Sequence, residues 1–171
     1  SRRRHTRFKC DWSSDVCSSD LIENTSMMFT VKDNSDRDLV LAPEYTAVVQ
    51  QLAKTYFKPY KDIKLFYIQE CFRGEKPQAG RYRQFTQLGV EILNPSKDYL
   101  LYLQGLALQL MGDIPCRIDT DAVRGLDYYK NGKGFEISCN QLGAQKQVCG
   151  GGEYDGGVGF AIGIDRILNL L

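Results

Sequence analysis

Two arginines, an aromatic ring, an amide and a carboxylate stand at alternate positions between Arg81 and Glu91: Arg81, Arg83, Phe85, Gln87, then Gly89 and Glu91. In an extended chain successive side chains point to opposite faces, so these six share one face. Guanidinium groups hold oxyanions in a fork, a phenyl ring can stack on a planar ring, and an amide and a carboxylate can hydrogen-bond a polar ligand. The opposite face, Tyr82, Gln84, Thr86, Leu88, Val90 and Ile92, turns steadily more apolar toward its C-terminal end. One face is suited to burial and the other to binding. An ordinary half-solvated antiparallel strand alternates in the same way, and this segment alone does not separate the two readings.

The elements around it narrow the chemistry. Residues 64–72, Lys-Leu-Phe-Tyr-Ile-Gln-Glu-Cys-Phe, form a second β-prone run, and the Gly- and Pro-containing stretch 73–80 between the two predicts a hairpin with a long loop. Arg73, Lys76, Arg81 and Arg83 outnumber Glu75 there, whereas the whole chain of 171 residues carries 22 Lys and Arg against 21 Asp and Glu. Positive charge focused in a near-neutral chain suits a compact polyanion such as a nucleoside triphosphate. A long nucleic-acid backbone would call for an extended basic stripe.

Phe72-Arg-Gly-Glu75 followed by Arg81-Tyr-Arg-Gln-Phe-Thr-Gln-Leu-Gly-Val-Glu91 resembles motif 2 of the class II aminoacyl-tRNA synthetases in its histidyl-tRNA synthetase form. Val123-Arg-Gly-Leu-Asp-Tyr-Tyr129 resembles the histidine signature of that family, and Gly159-Phe-Ala-Ile-Gly-Ile-Asp-Arg166 resembles class II motif 3. Leu41-Ala-Pro-Glu-Tyr-Thr46 is similar to its Leu-Arg-Pro-Glu-Gly-Thr segment, and Cys149-Gly-Gly-Gly-Glu-Tyr-Asp155 to its glycine-rich strand. The five stand in the family's order from about residue 27 to Leu171. The resemblance implies an α+β fold with an antiparallel sheet flanked by helices, truncated relative to the full catalytic domain. It also implies histidine, ATP with its Mg2+ and tRNA(His) as ligands, and a homodimer in the full-length family.

Activation of an amino acid is attack by its carboxylate on the α-phosphorus of ATP. A carboxylate is already ionised at neutral pH, so no general base is needed, and catalysis falls to positioning and to cations that neutralise the pentacoordinate phosphorus. The resemblance gives Arg73 and Arg124 the α-phosphate and the substrate carboxylate, and Arg166 the γ-phosphate. It places Phe85 on the adenine ring and Glu75 at its edge, with Arg81 and Arg83 completing the ATP-binding set. Each arginine taken singly could be a surface or helix-end charge; the set favours phosphate.

Neutral imidazole offers one donor and one acceptor, which a carboxylate and a phenol can meet. Glu91 and Tyr129 match the family's imidazole contacts, Glu44, Thr46 and Gln87 its α-amino contacts, and Arg124 and Tyr128 complete the expected histidine-binding set. Glu44 and Thr46, just after Pro43, could instead be first-turn residues of a helix. Tyr128 and Tyr129 could be paired strand aromatics in the core, and for Tyr128 that reading is preferred.

The scaffold reads as a Leu-rich helix from Asp98 to Met111 stopped by Gly112, strands over 134–139, 145–152 and 158–162, and a final helix over 164–171. Residues 1–21 have no apolar period and repeat Ser-Ser-Asp after or near cysteine, and they read as a non-native or disordered leader; a basic targeting arm is the rival reading. Residues 22–171 are expected to be a partial catalytic core in which motif 1, the insertion after motif 2 and the anticodon-binding domain are absent. Ala42, Tyr45, Glu153 and Asp165 stand where the family has Arg, Gly, Arg and Glu. Six cysteines without a Cys-x-x-Cys pair predict neither a zinc site nor a disulfide framework, and no protein side-chain cluster for a metal is expected. A reduced, cytoplasmic setting and no membrane contact follow as defaults. Two functions stay open: ATP-dependent histidine activation and transfer to tRNA(His), or a non-catalytic histidine-sensing regulatory subunit of ATP phosphoribosyltransferase. A sensor needs Glu91 and Tyr129 but has no use for Arg73, Phe85 and Arg166 together.

Overall fold

The structure, a computed structural model, describes residues 28–76, 78–122, 129–143 and 145–171. Arg124 and Tyr128 lie outside the described residues, as does the rest of the signature before Tyr129. A short hairpin of β1 (Thr30–Lys32) and β2 (Asp38–Val40) leads to helix α1 (Thr46–Lys54). Six strands then build one antiparallel sheet: β3 (Ile63–Phe72), β4 (Gln84–Leu93), β5 (Arg117–Asp119), β6 (Tyr129–Ser138), β7 (Gln147–Tyr154) and β8 (Gly157–Gly163), in the order β3-β4-β8-β7-β6-β5. Helix α2 (Leu100–Leu110) lies between β4 and β5 in the chain, and the short α3 (Ile164–Leu168) closes it.

The expected hairpin is present, with Ile63–Phe72 paired residue for residue to Gln84–Leu93. The strand starts three residues later than its alternation suggested. Arg81 forms an isolated bridge with Gln78, and Arg83 gives its carbonyl to the amide of Arg73, so both arginines belong to the hairpin loop. The final helix is shorter than expected, ending at Leu168, and β6 starts five residues earlier, at Tyr129, with irregular register before Gly134.

The two faces of β4 divide as the alternation predicts, with one refinement. Its even face carries Ile92 into the main core, where it meets Leu103 and Ala107 of α2 and the inward residues Phe135, Ile137, Val158, Phe160 and Ile162. Its odd face is open only in its first half, at Phe85 and Gln87. Further along, Leu93 is buried in a second cluster with Val49 and Ala53 of α1, so Gly89, Glu91 and Leu93 are all buried. A strand in the middle of a sheet with a helix on each side buries both faces, which is why polarity alone overstated the length of the open surface. On the edge strand β3 the covering helix α1 reaches only one face; Phe66 and Ile68 on the other are 71% and 59% exposed.

Cys116, just before β5, and Cys139, just after β6, are joined as a disulfide, contrary to the expectation of none. Ser138 and Arg117 are paired strand neighbours, so the next positions outward face each other with their Cα atoms 4.5 Å apart. That distance lies within disulfide reach, and the pairing is long-range, which is why sequence spacing held no sign of it. The reduced-compartment default, which rested on the absence of cysteine pairing, loses that support.

Candidate active site

A cavity of about 380 Å³ opens on the odd face of the sheet. Small residues make its floor: Ala161 and Gly163 of β8 and Gly150 of β7 line it, because little side chain projects there. Around the floor stand Glu44 and Thr46 at the start of α1, Arg73, Glu75 and Arg81 from the hairpin loop, Phe85 and Gln87 of β4, and Arg166 of α3. Seven residues named for ATP or histidine from sequence, drawn from three separate segments, are thus brought to one wall, joined by Tyr129 of β6 and Arg166 of α3.

Two of the three cations are held by backbone carbonyls and the third by a carboxylate. Arg73 donates from Nε to the Pro43 carbonyl at 2.9 Å, and its guanidinium lies over the Phe85 ring, 5.0 Å from the centroid. Arg166 donates from Nε to the Gly80 carbonyl at 2.7 Å and from Nη1 to the Gln147 carbonyl, which locks α3 to the hairpin loop and to β7. Arg81 pairs with Glu75 at 2.9 Å. Burial depresses the pKa of Arg166, the charge of Arg73 lowers it further, and Glu75 opposes them more strongly than Arg81 adds to them. A bound polyanion would oppose the effect of these neighbouring cations on Arg166. Asp165, in place of the family's glutamate, accepts the Thr86 amide at 2.6 Å and so anchors α3 to β4.

Two expected ligands stand elsewhere. Arg83 is exposed and donates from Nε to the Glu75 carbonyl at 3.1 Å, so it shapes the loop that carries Glu75 and does not line the cavity. Glu91 lies behind the lining, 2% exposed, and accepts a 2.8 Å hydrogen bond from the Tyr154 hydroxyl. Its place depends on Gly159: a Cβ there would come within 1.6 Å of Glu91 Oε2. Burial pushes the Glu91 carboxyl up to about 8, against the lowering effect of the Tyr154 hydrogen bond, with the charge of Glu44 raising it further. The Tyr154 phenol is itself held well above its ordinary pKa, first by burial and then by Glu91. Tyr129 meets Tyr154 edge-on, ring centroids 6.4 Å apart.

Sequence reasoning missed several residues here. Tyr154 appeared only as part of a glycine-rich stretch; its pairing with Glu91 spans 63 residues. Glu136 and Gln147 line the cavity from β6 and β7, and only the register could place them there. Cys71, fully buried, donates its thiol to Gln87 Oε1 at 3.2 Å and so orients that amide. Burial raises this thiol to about 12, which keeps it a donor. Among the described residues no group of three or more His, Cys, Asp or Glu is placed to hold a metal ion, and no helix is long and apolar enough to cross a membrane.

The antiparallel sheet, with its hairpin and the arginine-lined cavity on its open face, has the fold of class II aminoacyl-tRNA synthetase catalytic domains. Within that class the chain's relatives by sequence are histidyl-tRNA synthetases. The family model described as Histidyl-tRNA synthetase matches residues 14–98, a span that starts inside the segment 1–21 set aside above. The chain is 27% identical to the histidine–tRNA ligase of Methanosarcina acetivorans over 253 residues, covering 84% of this chain and 61% of that protein. Apo histidyl-tRNA synthetase of S. aureus superposes with a TM-score of 0.65 at 29% identity, over 90% of this chain and 57% of that one. A Bacillus halodurans protein described as an ATP phosphoribosyltransferase regulatory subunit/histidyl-tRNA synthetase also reaches 0.65, at 16% identity over 85% and 68% of the two chains, a likeness of fold alone. The chain spans about three-fifths of the length of the curated relatives it matches.

Proposed function

We propose that this chain activates histidine with ATP, forming histidyl-adenylate and pyrophosphate for transfer to tRNA(His). The observation that carries the reading is the gathering of Arg73, Phe85 and Arg166 around one cavity, next to the buried Glu91 and Tyr154. Phe85 offers a stacking face for adenine, and Glu75, fixed by Arg81, stands where it can meet the edge of the base. Arg73 holds the α-phosphate, and Arg166 the γ-phosphate, with Mg2+ entering as part of the ATP substrate.

Glu44, Thr46 and Gln87 hold the α-amino group, and the polar cluster around Glu91 takes the imidazole. The expected pairing of Glu91 with imidazole persists when its carboxyl is protonated, since its oxygens still accept. Arg124 and Tyr128 complete the proposed set from the signature. Transfer to tRNA and dimerisation follow the same family reading. The protein is placed in the cytoplasm because that is where the proposed activity meets its tRNA.

The regulatory-subunit reading has the fold likeness noted above, but it leaves the triphosphate cations without a role. Histidine-dependent ATP–pyrophosphate exchange separates the two. Exchange that appears with histidine and not with other amino acids supports activation; histidine binding without any exchange supports the sensor.

A further inference from the structure

The Cys116–Cys139 link does not line the cavity, yet one of the strands it joins does. β5 is the outermost strand of its end of the sheet and pairs over three residues only, Arg117 with Ser138, Ile118 with Ile137 and Asp119 with Glu136. Glu136 lines the cavity, and so does Tyr129, with which β6 begins. A pairing this short at a sheet edge opens readily, because few backbone bonds hold it. The link sits just beyond the Arg117–Ser138 end of the pairing and closes both strands, with the chain between them, into one covalent ring whose cysteines are 23 positions apart. Such a ring limits how far β5 can leave β6. On its other side β6 pairs with β7, but the register is irregular between Tyr129 and Gly134, so β7 holds the Tyr129 end less regularly than the rest.

The two sulfurs differ in access. Cys139 is fully buried in the main core, whereas Cys116 is only half-buried, so an incoming thiolate meets Cys116 first. Cys71 and Cys149, the free thiols among the described residues, are both buried. In the cytoplasmic setting that goes with the proposed function, disulfides are characteristically transient or redox-sensing.

We propose that Cys116–Cys139 is a thiol–disulfide switch that sets how firmly β6 presents Tyr129 and Glu136 to the cavity, the disulfide form binding histidine more tightly than the dithiol form. The reductant is a dithiol. Its thiolate attacks Cys116 Sγ, the S–S bond breaks, and the electron pair leaves on Cys139, which takes up a proton. The second thiol of the reductant then attacks the mixed disulfide and releases Cys116 as a thiol. Two electrons and two protons pass to the protein, and the reductant ends as a disulfide. The inference rests on the histidine reading above for its ligand; the loosening of β5 and β6 does not depend on it.

Hydrogen–deuterium exchange on the intact protein, with and without dithiothreitol, tests the switch in the absence of ligand. Peptides from β5 and from the Tyr129 end of β6 should exchange faster after reduction, while those from β3 and β4 stay unchanged. On the same reduction, histidine affinity by calorimetry should weaken about fivefold or more, the lower end of the range for coupled sites. Cys116→Ser should match the reduced parent in both measurements and respond to dithiothreitol in neither. Equal amide exchange in the two states, equal histidine affinity, or a response that survives in Cys116→Ser would overturn the inference. So would an oxidised parent whose unreduced peptides, weighed by mass spectrometry, show Cys116 and Cys139 unlinked. A parent that binds no histidine in either state overturns the proposed function and the histidine coupling with it, whereas a parent that binds equally well in both states overturns this inference alone.

Discussion

The outer rim of the cavity and its inner wall treat polar groups in opposite ways. At the rim, Arg73, Arg81 and Arg166 are partly open to solvent, Arg73 and Arg166 fixed by backbone carbonyls and Arg81 by Glu75, and Arg73 and Arg81 disfavour the charge on Arg166. At the wall, Glu91 and Tyr154 are buried and hydrogen-bonded, and desolvation drives both toward their neutral forms. The rim stores permanent charge, as the proposed binding of a triphosphate requires. The wall stores donors and acceptors in a dry setting, where mismatches cost most, as recognition of a small neutral ring requires. One sheet face supports both because its strands change cover along their length, open at Phe85 and Gln87 and roofed by α1 beyond them.

Breaking the wall should be the larger single effect on histidine. Glu91→Ala removes a hydrogen-bonded carboxyl and leaves the Tyr154 hydroxyl without its acceptor, so histidine affinity should fall by about 1.5–3 kcal/mol, on the order of 10–100-fold. ATP binding measured with a fluorescent analogue should hold, because the rim is untouched. A parallel loss of both would show the two regions to be one.

Gly159→Ala tests the wall from behind. A methyl group there meets Glu91 Oε2 and the Val90 carbonyl, and overpacking of this kind costs about 1–3 kcal/mol, a fall of several degrees in melting temperature at this chain length. Calorimetric melting checks it, and an unchanged transition would mean that Glu91 is not confined as described.

The wall also predicts a pH dependence that the rim does not. The folded pKa of Glu91 is raised above that of the unfolded chain, so its contribution to stability is fully present below the ordinary carboxylate range and is lost as pH rises through about 8. Glu91→Gln cannot ionise, so its melting temperature should decline less than the parent's between pH 5 and pH 8, windows set by that shift. Equal slopes would place the carboxyl in water.

The smallest effect is expected on the far face of β3. Replacing Phe66 and Ile68, both largely exposed, with Thr should leave histidine affinity unchanged and raise the concentration at which the protein stays in solution, measured by light scattering. Loss of histidine binding in this double variant would tie the exposed face to the site.

The same contrast decides what could be read from sequence. The rim was legible because its chemistry sits in contiguous motifs: Arg73 and Glu75 are two apart, Arg81 and Phe85 four apart, and a hairpin brings them together. The alternation in β4 gave the right face for Phe85 and Gln87 but carried Arg81 and Arg83 into a strand they do not join, since a loop can continue a period-two pattern by chance. The wall was largely illegible. Glu91 was visible as a polar residue on the binding face, but Tyr154 reaches it only through the register of β4, β8 and β7, and Gly159 matters by leaving space that the Glu91 carboxyl fills. The Cys116–Cys139 link belongs to the same class, since a pairing across two strands leaves no local spacing to recognise.

The central claim is that rim and wall serve two substrates of one reaction, and Arg166→Ala tests it most directly when histidine binding and histidine-dependent ATP–pyrophosphate exchange are measured on the same preparation. Removing one charge-stabilising donor should cut exchange on the order of 10²-fold or more while histidine affinity stays within about twofold of the parent. A parent that binds histidine and shows no exchange, or a variant that exchanges as fast as the parent, would contradict the account.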